Sequence, residues 1–468
     1  MQQEQELRTH IDQNVVQSFQ SSLKGQLIRP EDDTYDEARK LYNAMIDKRP
    51  ALIAQCADVA DVIQSVNFAR EQHLLLAVRG GGHNGPGLGS CEDGLVIDLS
   101  LMKGIRVDPA ARTARVEGGC TWGDVDHATH AFGLATPSGI ISTTGVGGLT
   151  LGGGIGHLAR TCGLTIDNLL AVDMVLADGR FVSASADENQ DLFWAVRGGG
   201  GNFGVVTSFL FRLHPISTVY AGPMLWPLEK AAEAMRFYRD YILTAPEEMN
   251  GWFAFMTVPP AAPFPVELHN KKVCGVVWCY TGPLEKAEKV FEPIRAFTPP
   301  LLDFVGPLPH PALQGMFDGL YPPGLQWYWR ADWIKDLSEE AIAEHVKYAA
   351  QLPTMHSTMH LYPISGAPHR VKNSDTAFSY REANWGMVIV GVDPDPNNNM
   401  KTIAWAKDYS DAIHPHSAGG AYINMMMDEG QERVKAAYKD NYARLVEIKT
   451  KYDPTNLFRV NQNIRPAT

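Results

Sequence analysis

The sequence lacks the features that mark several large classes of protein. It has no run of five or more basic residues, and its formal net charge is −12, so it offers no electrostatic surface to nucleic acid or to an anionic membrane. No stretch approaches the ~18 consecutive apolar residues of a membrane-spanning helix. Its first residues, MQQEQELRTHIDQNVVQ, lack the basic and apolar regions of a secretory signal. We therefore expect a cytoplasmic protein that binds neither nucleic acid nor membrane.

Cysteine is also scarce. Six cysteines are spread over 468 residues without a CxxC pair or a repeated spacing, which disfavours a disulfide framework. The segment HSTMH has the i, i+4 histidine spacing of a zinc-binding pair, at His356 and His360, but it lacks the intervening glutamate and lies in a strand-like stretch. We expect reduced, mostly buried cysteines and no metal site.

Glycine, in contrast, is concentrated in two segments. AVRGGGHNGPGLGS (77–90) places six glycines around His83, and GIISTTGVGGLTLGGGIG (139–156) is denser still. Such a density does not suit an ordinary helix, because each glycine there costs ~1 kcal/mol relative to alanine. We predict that both segments are loops whose bare backbone amides face a large polar ligand such as a phosphate. Arg79 would add positive charge beside the first loop.

The surrounding pattern predicts an α+β fold. Residues 51–78 indicate strand, helix, strand, so the first glycine loop follows the end of a strand. GGGNFG (199–204) matches a dinucleotide-binding pattern, but a β-rich run follows it instead of a helix, which argues against a Rossmann unit. Beyond residue 216, Ser338 is a predicted helix N-cap, and a terminal helix is predicted at about 430–450. The aromatic cluster LQWYWRADW (325–333) belongs either to a core or to a substrate pocket.

Several of these motifs together resemble the berberine bridge enzyme-like flavoproteins of the vanillyl-alcohol oxidase superfamily. The motifs are RGGGHN (79–84), GVGGLTLGGGIG (145–156), GLTIDNLL (163–170), DLFWAVRGGGGNFGVVT (191–207) and YDPTNLFRVNQNI (452–464). The resemblance implies an FAD cofactor and a PCMH-type FAD-binding domain at 30–215. It also implies a substrate-binding domain at 216–424, with an antiparallel sheet backed by helices, and a C-terminal segment, 425–468, that returns to the first domain.

The resemblance also assigns the residues that hold FAD. It implies that His83 is bonded covalently to the 8α-methyl group of the flavin. Many relatives have a second linkage through a cysteine, but Ile141 stands at that position, so we expect a single bond. The implied FAD-binding residues are Arg79, Gly80, Gly81, Gly82, His83, Asn84, Gly139, Thr143, Thr144, Gly147, Gly148, Gly153, Val205, Asn461 and Gln462.

The catalytic residues are less directly implied, because the sequence departs from its relatives. Plant relatives place a tyrosine base in a Tyr-x-Asn-Tyr motif, whereas this sequence has Met425 there. Tyr422 remains, but alternation along a strand would direct it away from Met425, so we predict a core tyrosine. The strand STMHLYPISG puts His360 and Tyr362 on one face. We predict His360 first, and Tyr362 second, as the acceptor of the substrate proton.

The residue at position 144 leads to a prediction of the electron acceptor. Valine at this position accompanies oxidases among the relatives, and threonine has the shape of valine, so the resemblance implies access for molecular oxygen. We thus expect an FAD-dependent oxidase that removes a hydride from a small alcohol, sugar, amine or phenol. Two alternatives stay open at this point: a dehydrogenase with another acceptor, and a non-catalytic flavin-binding protein. The catalytic prediction therefore comprises His360, Tyr362 and Thr144.

Overall fold

The computed structural model describes residues 11–467 and contains three β-sheets with surrounding helices. The strands are β1 (Gln26–Ile28), β2 (Leu52–Gln55), β3 (Leu76–Arg79), β4 (Leu95–Asp98), β5 (Ile105–Asp108), β6 (Thr113–Glu117), β7 (Leu169–Val175), β8 (Phe181–Ser185), β9 (Val205–Arg212), β10 (Thr218–Pro227), β11 (Met249–Thr257), β12 (Lys272–Tyr280), β13 (Leu302–Asp303), β14 (Gly306–Pro309), β15 (Gln326–Ile334), β16 (Thr358–Pro363) and β17 (Trp385–Asp393). The α-helices are α1 (Gln13–Ser22), α2 (Tyr35–Ala38), α3 (Val59–Glu71), α4 (Trp122–His130), α5 (Val146–Gly152), α6 (Ala159–Cys162), α7 (Gln190–Val196), α8 (Ala231–Thr244), α9 (Ala287–Phe297), α10 (His310–Gln314), α11 (Glu339–Ala349), α12 (Asn399–Ile413), α13 (Gln431–Tyr438) and α14 (Asn441–Tyr452).

The first sheet has four strands in the order β1-β2-β4-β3. Strands β2, β4 and β3 are parallel, and β1 is antiparallel to β2. The predicted strand, helix, strand at 51–78 is confirmed as β2, α3 and β3. Because β3 ends at Arg79, the first glycine loop leaves the carboxyl end of a strand. Strand β1 lies upstream of residue 30, so this sheet begins before the expected domain boundary.

The second sheet has five antiparallel strands in the order β5-β6-β9-β7-β8. Its buried side chains, which include Val116 and Phe209, share a core with Tyr438 of α13 and Leu445 of α14. The end of the chain therefore packs against the N-terminal half. The single helix predicted at about 430–450 is wrong: the chain turns at Lys439, which has a φ of 48°, and forms two helices.

The third sheet, with eight strands, confirms the predicted antiparallel sheet backed by helices. Its order is β13-β10-β12-β11-β16-β17-β15, with β14 beside β10. Met359 and Leu361 of β16 belong to the core that this sheet shares with α8, α9, α11 and α12. Alternation along β16 leaves His360 and Tyr362 on the opposite face. Ser338 caps α11 as predicted, accepting a hydrogen bond from the amide of Ala341 at 3.2 Å.

The two glycine-rich segments contact each other through their backbones. A Cβ atom on Gly81 would lie 2.4 Å from the amide nitrogen of Gly145, and a Cβ on Gly145 would lie 2.3 Å from that of Gly81. At these two positions, glycine allows the backbone of one segment to pack on that of the other. We had expected the backbone here to face a ligand. Next to Gly148, by contrast, there is open space. The expectation of a helix-free segment is also wrong, since Val146–Gly152 forms α5.

Three general features complete the description of residues 11–467. None of the helices there is long and apolar enough to cross a membrane. No group of three or more His, Cys, Asp or Glu side chains in this range is arranged to hold a metal ion. All six cysteines are free thiols; five are buried and Cys162 is half-buried.

Candidate active site

A single continuous cavity joins the glycine-rich segments to the open face of the eight-stranded sheet. On one side it is lined by residues 79–84, by parts of 139–149 and 200–206, and by the C-terminal residues 458–462 apart from 459. Side chains of β11, β15, β16 and β17 line the other side. The cavity therefore lies where the N-terminal half, the C-terminal segment and the large sheet meet.

His83 lies in the wall of this cavity with its ring held on two sides. Its Nε2 is 3.1 Å from the hydroxyl oxygen of Thr143, and its ring stacks on Tyr42 with centroids 3.8 Å apart and an interplanar angle of 17°. Burial lowers the pKa of His83 to about 4, so the imidazole is neutral near pH 7. A hydrogen bond to the backbone of Thr143 acts on this pKa in the opposite direction, and Nδ1 has no side-chain partner within residues 11–467. His83 thus presents one engaged and one free ring nitrogen.

The segment that carries Tyr42 connects the first glycine loop to β15. The buried amide of Asn43 donates to the carbonyl oxygens of Gly85 at 2.7 Å and Trp327 at 3.0 Å, and its oxygen accepts from the amide of Trp327 at 3.0 Å. The amide of Tyr42 donates to the carbonyl of Gly82 at 3.2 Å. No sequence motif marks these two residues, and we did not predict them.

Arg79 is held differently from what we expected. Its Nη2 donates to Asp98 at 2.8 Å, and both side chains are buried. The charge of the guanidinium is therefore balanced by Asp98 instead of standing free beside the loop. The second nitrogen, Nη1, is buried and makes no hydrogen bond within the described part of the chain. Arg79 thus keeps the N–H groups of Nη1 as unused donors at the wall of the cavity.

Twelve of the fifteen predicted FAD-binding residues line the cavity, and three do not. Those that do are Arg79, Gly80, Gly81, Gly82, His83, Asn84, Gly139, Thr144, Gly147, Gly148, Asn461 and Gln462. Thr143 does not line the cavity itself, but its hydroxyl contacts His83, which does. Gly153 lies outside it, where a Cβ would meet the ring of Phe378 at 2.9 Å. Val205 is also outside, because it points into the core of the first sheet while its neighbour Val206 lines the cavity.

The C-terminal residues are fixed to this wall by their side-chain amides. Asn461 donates to the carbonyl of Gly201 at 3.0 Å, and Gln462 donates to the carbonyl of Met427 at 3.2 Å. Both contacts are to backbone that is remote in sequence, so the C-terminal segment contributes directly to the cavity.

His360 and Tyr362 lie together on the sheet side, as predicted. His360 Nδ1 and the hydroxyl of Tyr362 are 2.6 Å apart, and the ring of Trp252 lies 4.6 Å from that of His360. Burial lowers the pKa of His360 to about 3 and raises the pKa of Tyr362. Both groups are therefore uncharged near pH 7.

Tyr422 is buried in an apolar cluster, as predicted, but the structure corrects its predicted orientation away from Met425. Ile423–Met425 forms a short 3-10 turn, so strand alternation does not apply, and both Tyr422 and Met425 line the cavity. The hydroxyl oxygen of Tyr422 accepts hydrogen bonds from the amide of Gly154 at 2.8 Å and from Asn424 Nδ2 at 2.7 Å. Burial raises the pKa of Tyr422 to about 12 although these N–H donors act in the opposite direction.

Sequence reasoning left Trp327 and Trp329 open between core and substrate pocket, and it missed Trp252, Phe317 and Tyr321. Trp252, Phe317, Tyr321, Trp327 and Trp329 all line the cavity. The alternation of the tryptophans in β15, two residues apart, places them on one face of the sheet and could have separated pocket from core. Nothing comparable marks Phe317 and Tyr321, which lie in the connection before β15.

Thr144 and Ile141 also line the cavity. No side-chain hydrogen bond of the Thr144 hydroxyl is found within residues 11–467, so its side chain is free to face the cavity. Ile141 offers no nucleophile at the position of the relatives' cysteine.

The residues present fit FAD. The glycine-rich backbone around Gly80 and Gly148, together with the unused Nη1 of Arg79, offers N–H donors to acceptor groups such as phosphates. The apolar and aromatic part of the cavity suits a flat ring system, and the free Nδ1 of His83 lies in the wall. Fold and site together define an FAD-dependent oxidoreductase.

Comparison with known proteins identifies the family. Residues 50–185 match the FAD binding domain family model, and residues 421–465 match the berberine and berberine like model. An FAD-linked oxidoreductase of Dictyostelium discoideum is 32% identical over 97% of this chain and 97% of its own length. (R)-6-hydroxynicotine oxidase of Paenarthrobacter nicotinovorans is 28% identical over 95% and 97%, respectively. The crystal structure of 6-hydroxy-D-nicotine oxidase from Arthrobacter nicotinovorans superimposes with a TM-score of 0.86 at 27% identity, covering 95% of this chain and 99% of that one. The protein belongs to the berberine bridge enzyme-like family of FAD-linked oxidoreductases, which confirms the resemblance found in its sequence.

Proposed function

We propose that the protein oxidises a small organic molecule by hydride transfer to an FAD bonded covalently to His83, and that molecular oxygen is the electron acceptor. The observation that carries the proposal is the state of His83: a neutral imidazole in the cavity wall, with Nε2 held by Thr143 and Nδ1 free. A neutral ring nitrogen with a free lone pair is a competent nucleophile. When bound, FAD supplies the hydride acceptor.

The covalent bond is tested by denaturation. Wild-type protein precipitated in acid should keep its yellow colour, whereas His83→Ala should release FAD into the supernatant. Because Ile141 replaces the second attachment residue, the single change should release all of the flavin. Complete release from wild-type protein would overturn the covalent proposal, and retention by His83→Ala would assign the bond to another residue.

The remaining residues have separate roles in this proposal. Backbone amides of the glycine-rich segments and Nη1 of Arg79 bind the acceptor oxygens of the cofactor. Asn461 and Gln462 hold the C-terminal wall in place, and the aromatic side chains exclude water from the reacting carbon. If His360 donates its Nδ1 proton to the oxygen of Tyr362, its Nε2 is left as an acceptor. We propose that this nitrogen takes the substrate proton, against the burial that lowers its pKa to about 3.

Tyr422 is a second candidate for the proton acceptor, and a specific observation favours it. Its oxygen already accepts two N–H donors, from Gly154 and Asn424, so its own proton is directed elsewhere. The same donors would stabilise a phenolate at this oxygen.

Anaerobic flavin reduction separates the two candidates. His360→Ala should lower the rate of flavin bleaching by roughly 10²-fold or more, the usual size of a general-base effect. Tyr422→Phe removes only the hydroxyl and serves as the matched comparison. If Tyr422→Phe shows the large loss while His360→Ala reacts normally, the proton acceptor is Tyr422. Bleaching at the wild-type rate in both variants would exclude both residues.

A further inference from the structure

The connection between α10 and β15, residues 315–325, links the sheet side of the cavity to the FAD side. The rings of Phe317 and Tyr321 line the cavity, whereas Met316 and residues 322–324 are exposed. The 315–325 connection is therefore a thin layer of chain between the cavity and solvent. Its polar groups bond to residues of the FAD side.

Both carboxylate oxygens of Asp318, in this connection, accept hydrogen bonds from one residue, Ser142. Oδ1 accepts from the amide of Ser142 at 3.0 Å, and Oδ2 accepts from its hydroxyl. Within residues 11–467 this carboxylate forms no ion pair and accepts no other hydrogen bond. Because hydrogen bonds to an ionised acceptor are stronger than those between neutral groups, Asp318 fixes the position of Ser142.

Ser142 directly precedes the residue that contacts His83 in two ways. The hydroxyl of Thr143 lies 3.1 Å from Nε2 of His83, and the backbone of Thr143 makes a further hydrogen bond to the ring. The carbonyl of Ser142 accepts from the amide of Gly123 at 2.8 Å, but its amide and hydroxyl both depend on Asp318. A shift of Ser142 would therefore pass to Thr143 over a single peptide bond.

The 315–325 connection also holds the residue that stacks on His83. Tyr42 packs on the imidazole with ring centroids 3.8 Å apart. Its hydroxyl donates to the carbonyl of Tyr321 at 2.5 Å, and its carbonyl accepts from the amide of Gly324 at 3.1 Å. One short connection thus bonds to the supports on both sides of the ring.

We infer that Asp318 is a positioning residue for the covalent attachment of FAD to His83. It acts through Ser142 and Thr143 by restricting the orientation of the imidazole, on which the rate of such a step depends. This inference rests on the proposed function. In the attachment, a ring nitrogen of His83 forms a bond to the 8α-carbon of FAD, one C–H bond of that methyl group breaks, and the imidazole loses its N–H proton. Molecular oxygen accepts the two electrons and two protons and leaves as hydrogen peroxide.

The test measures the rate of attachment after FAD is added at several concentrations to full-length apoprotein produced under riboflavin limitation. The readout is flavin fluorescence of the denatured protein band. Asp318→Ala removes both acceptors and should lower the rate at saturating FAD about tenfold or more, because a misplaced nucleophile reacts slowly. Asp318→Asn should attach FAD at close to the wild-type rate. Its Oδ1 still accepts from the amide of Ser142, and its Nδ2 can donate to the hydroxyl oxygen. Met316→Ala, an exposed change in the same connection, is the control and should not slow attachment.

A second measurement separates positioning from damage to the FAD site. Neither Asp318 nor Ser142 lines the cavity, so adding Asp318→Ala to the His83→Ala variant should leave the Kd of FAD close to that of His83→Ala alone. A loss of FAD binding as large as the loss of attachment rate would assign Asp318 a purely structural role and overturn the inference. Urea unfolding of the apoproteins shows whether each variant is folded. If Asp318→Ala does not fold, Ser142→Ala, which removes only the hydroxyl, takes its place, and attachment at the wild-type rate in that variant would overturn the inference.

The outcomes separate this inference from the proposed function. If wild-type protein retains no flavin after denaturation, the covalent proposal is wrong and this inference falls with it. If wild-type protein and Asp318→Ala attach FAD at equal rates, the proposed function stands and the positioning role is wrong. If Asp318→Asn is as slow as Asp318→Ala, the hydrogen bonds to Ser142 do not explain the effect, and the inference is overturned. Slow attachment in Asp318→Ala, rescue by Asp318→Asn and unchanged FAD binding together support it.

Discussion

At the scale of single residues, the hydroxyl of Thr143 decides which nitrogen of His83 can react. The hydroxyl lies 3.1 Å from Nε2, so Nε2 is engaged and Nδ1 keeps its lone pair if Nε2 carries the proton. Tyr42 stacks on the ring and restricts its rotation. His83 is thus oriented by two residues that need not touch the cofactor themselves.

We predict that Thr143→Val slows covalent attachment of FAD about tenfold or more, because positioning of this kind governs the rate of bond formation. Thr143→Ser keeps the hydroxyl and should attach FAD at close to the wild-type rate. The measurement is flavin fluorescence of the denatured protein band at intervals after FAD is added to apoprotein. Equal rates for the Thr143→Val variant and the wild-type protein would remove Thr143 from this role, provided that His83→Ala shows no fluorescence.

Thr144 gives a second prediction at this scale. It lines the cavity and its hydroxyl makes no side-chain hydrogen bond within residues 11–467, so we propose that its small side chain leaves oxygen a path to the flavin. Thr144→Leu should slow reoxidation of reduced flavin by about tenfold or more by adding bulk without a charge, while anaerobic reduction changes little. Stopped-flow reoxidation measures this, and Thr144→Val, of similar shape, is the control. Slow reoxidation already in wild-type protein would assign a dehydrogenase.

At the scale of elements, regular strands are predictable from sequence and irregular turns are not. The faces of β16 follow from alternation alone, which correctly placed His360 beside Tyr362. The same rule fails at Tyr422, because the next three residues form a 3-10 turn stabilised by contacts that are distant in sequence. Glycine content likewise predicted exposed backbone, but Gly81 and Gly145 meet each other, a pairing that no local pattern reveals.

Helices α4 and α10 pack around a buried acid that should make stability depend on pH. Asp126 of α4 is fully buried, its carboxylate oxygens make no hydrogen bond within the described residues, and His310 of α10 approaches it to 3.8 Å. Burial raises the pKa of Asp126 from 3.8 to about 8 and lowers that of His310 from 6.5 to about 4. An acid with a raised pKa contributes stability that is fully present below pH 3.8 and is lost as the pH rises through about 8. His310 acts in the opposite sense, but only between about pH 4 and 6.5.

Between pH 6.5 and 8, His310 no longer affects the pH dependence of stability, so the effect of Asp126 alone remains. The free energy of unfolding of wild-type protein should fall by about 2 kcal/mol over this range, at up to about 1.4 kcal/mol per pH unit. Asp126→Asn, which has nearly the same shape and does not titrate, should lack this decrease. Urea unfolding at several pH values measures the difference between the two proteins. Parallel profiles would mean that Asp126 does not carry a raised pKa.

At the scale of the whole molecule, the cavity depends on contacts that join distant parts of the chain. Arg381 binds Asp167 through two hydrogen bonds of 2.7 and 2.8 Å, with both side chains buried. Asp167 lies in the GLTIDNLL motif, but nothing in the sequence indicates its partner 214 residues later. Sequence resemblance thus predicts the fold class and much of the FAD side, whereas the substrate side depends on such pairings and on irregular connections.

A second long-range contact is made by a buried lysine, Lys449, which fixes the C-terminal segment against the FAD side of the cavity. Lys449 is fully buried, and its ammonium donates to Asp453 and to the carbonyl of Asn202, both at 2.7 Å. Asp453 also accepts from the amides of Leu457 and Phe458 at 2.8 and 2.9 Å, which accounts for the YDPTNLF motif.

Removing this lysine leaves the carboxylate of Asp453 buried without a counter-charge, which typically costs about 3 kcal/mol or more. We predict that Lys449→Met lowers the free energy of unfolding by an amount of that size. We also predict that adding Lys449→Met to the His83→Ala variant weakens the binding of FAD, which can be measured there because no covalent bond holds the cofactor. Lys451→Met is the control on the same helix, because Lys451 forms an exposed pair with Asp191 at 2.6 Å and should lose less than about 1 kcal/mol. Chemical unfolding and equilibrium dialysis of FAD measure the two effects. Equal losses in the two variants would show that the buried pair does not hold the C-terminal segment in place, since the exposed pair makes no contact with the cavity.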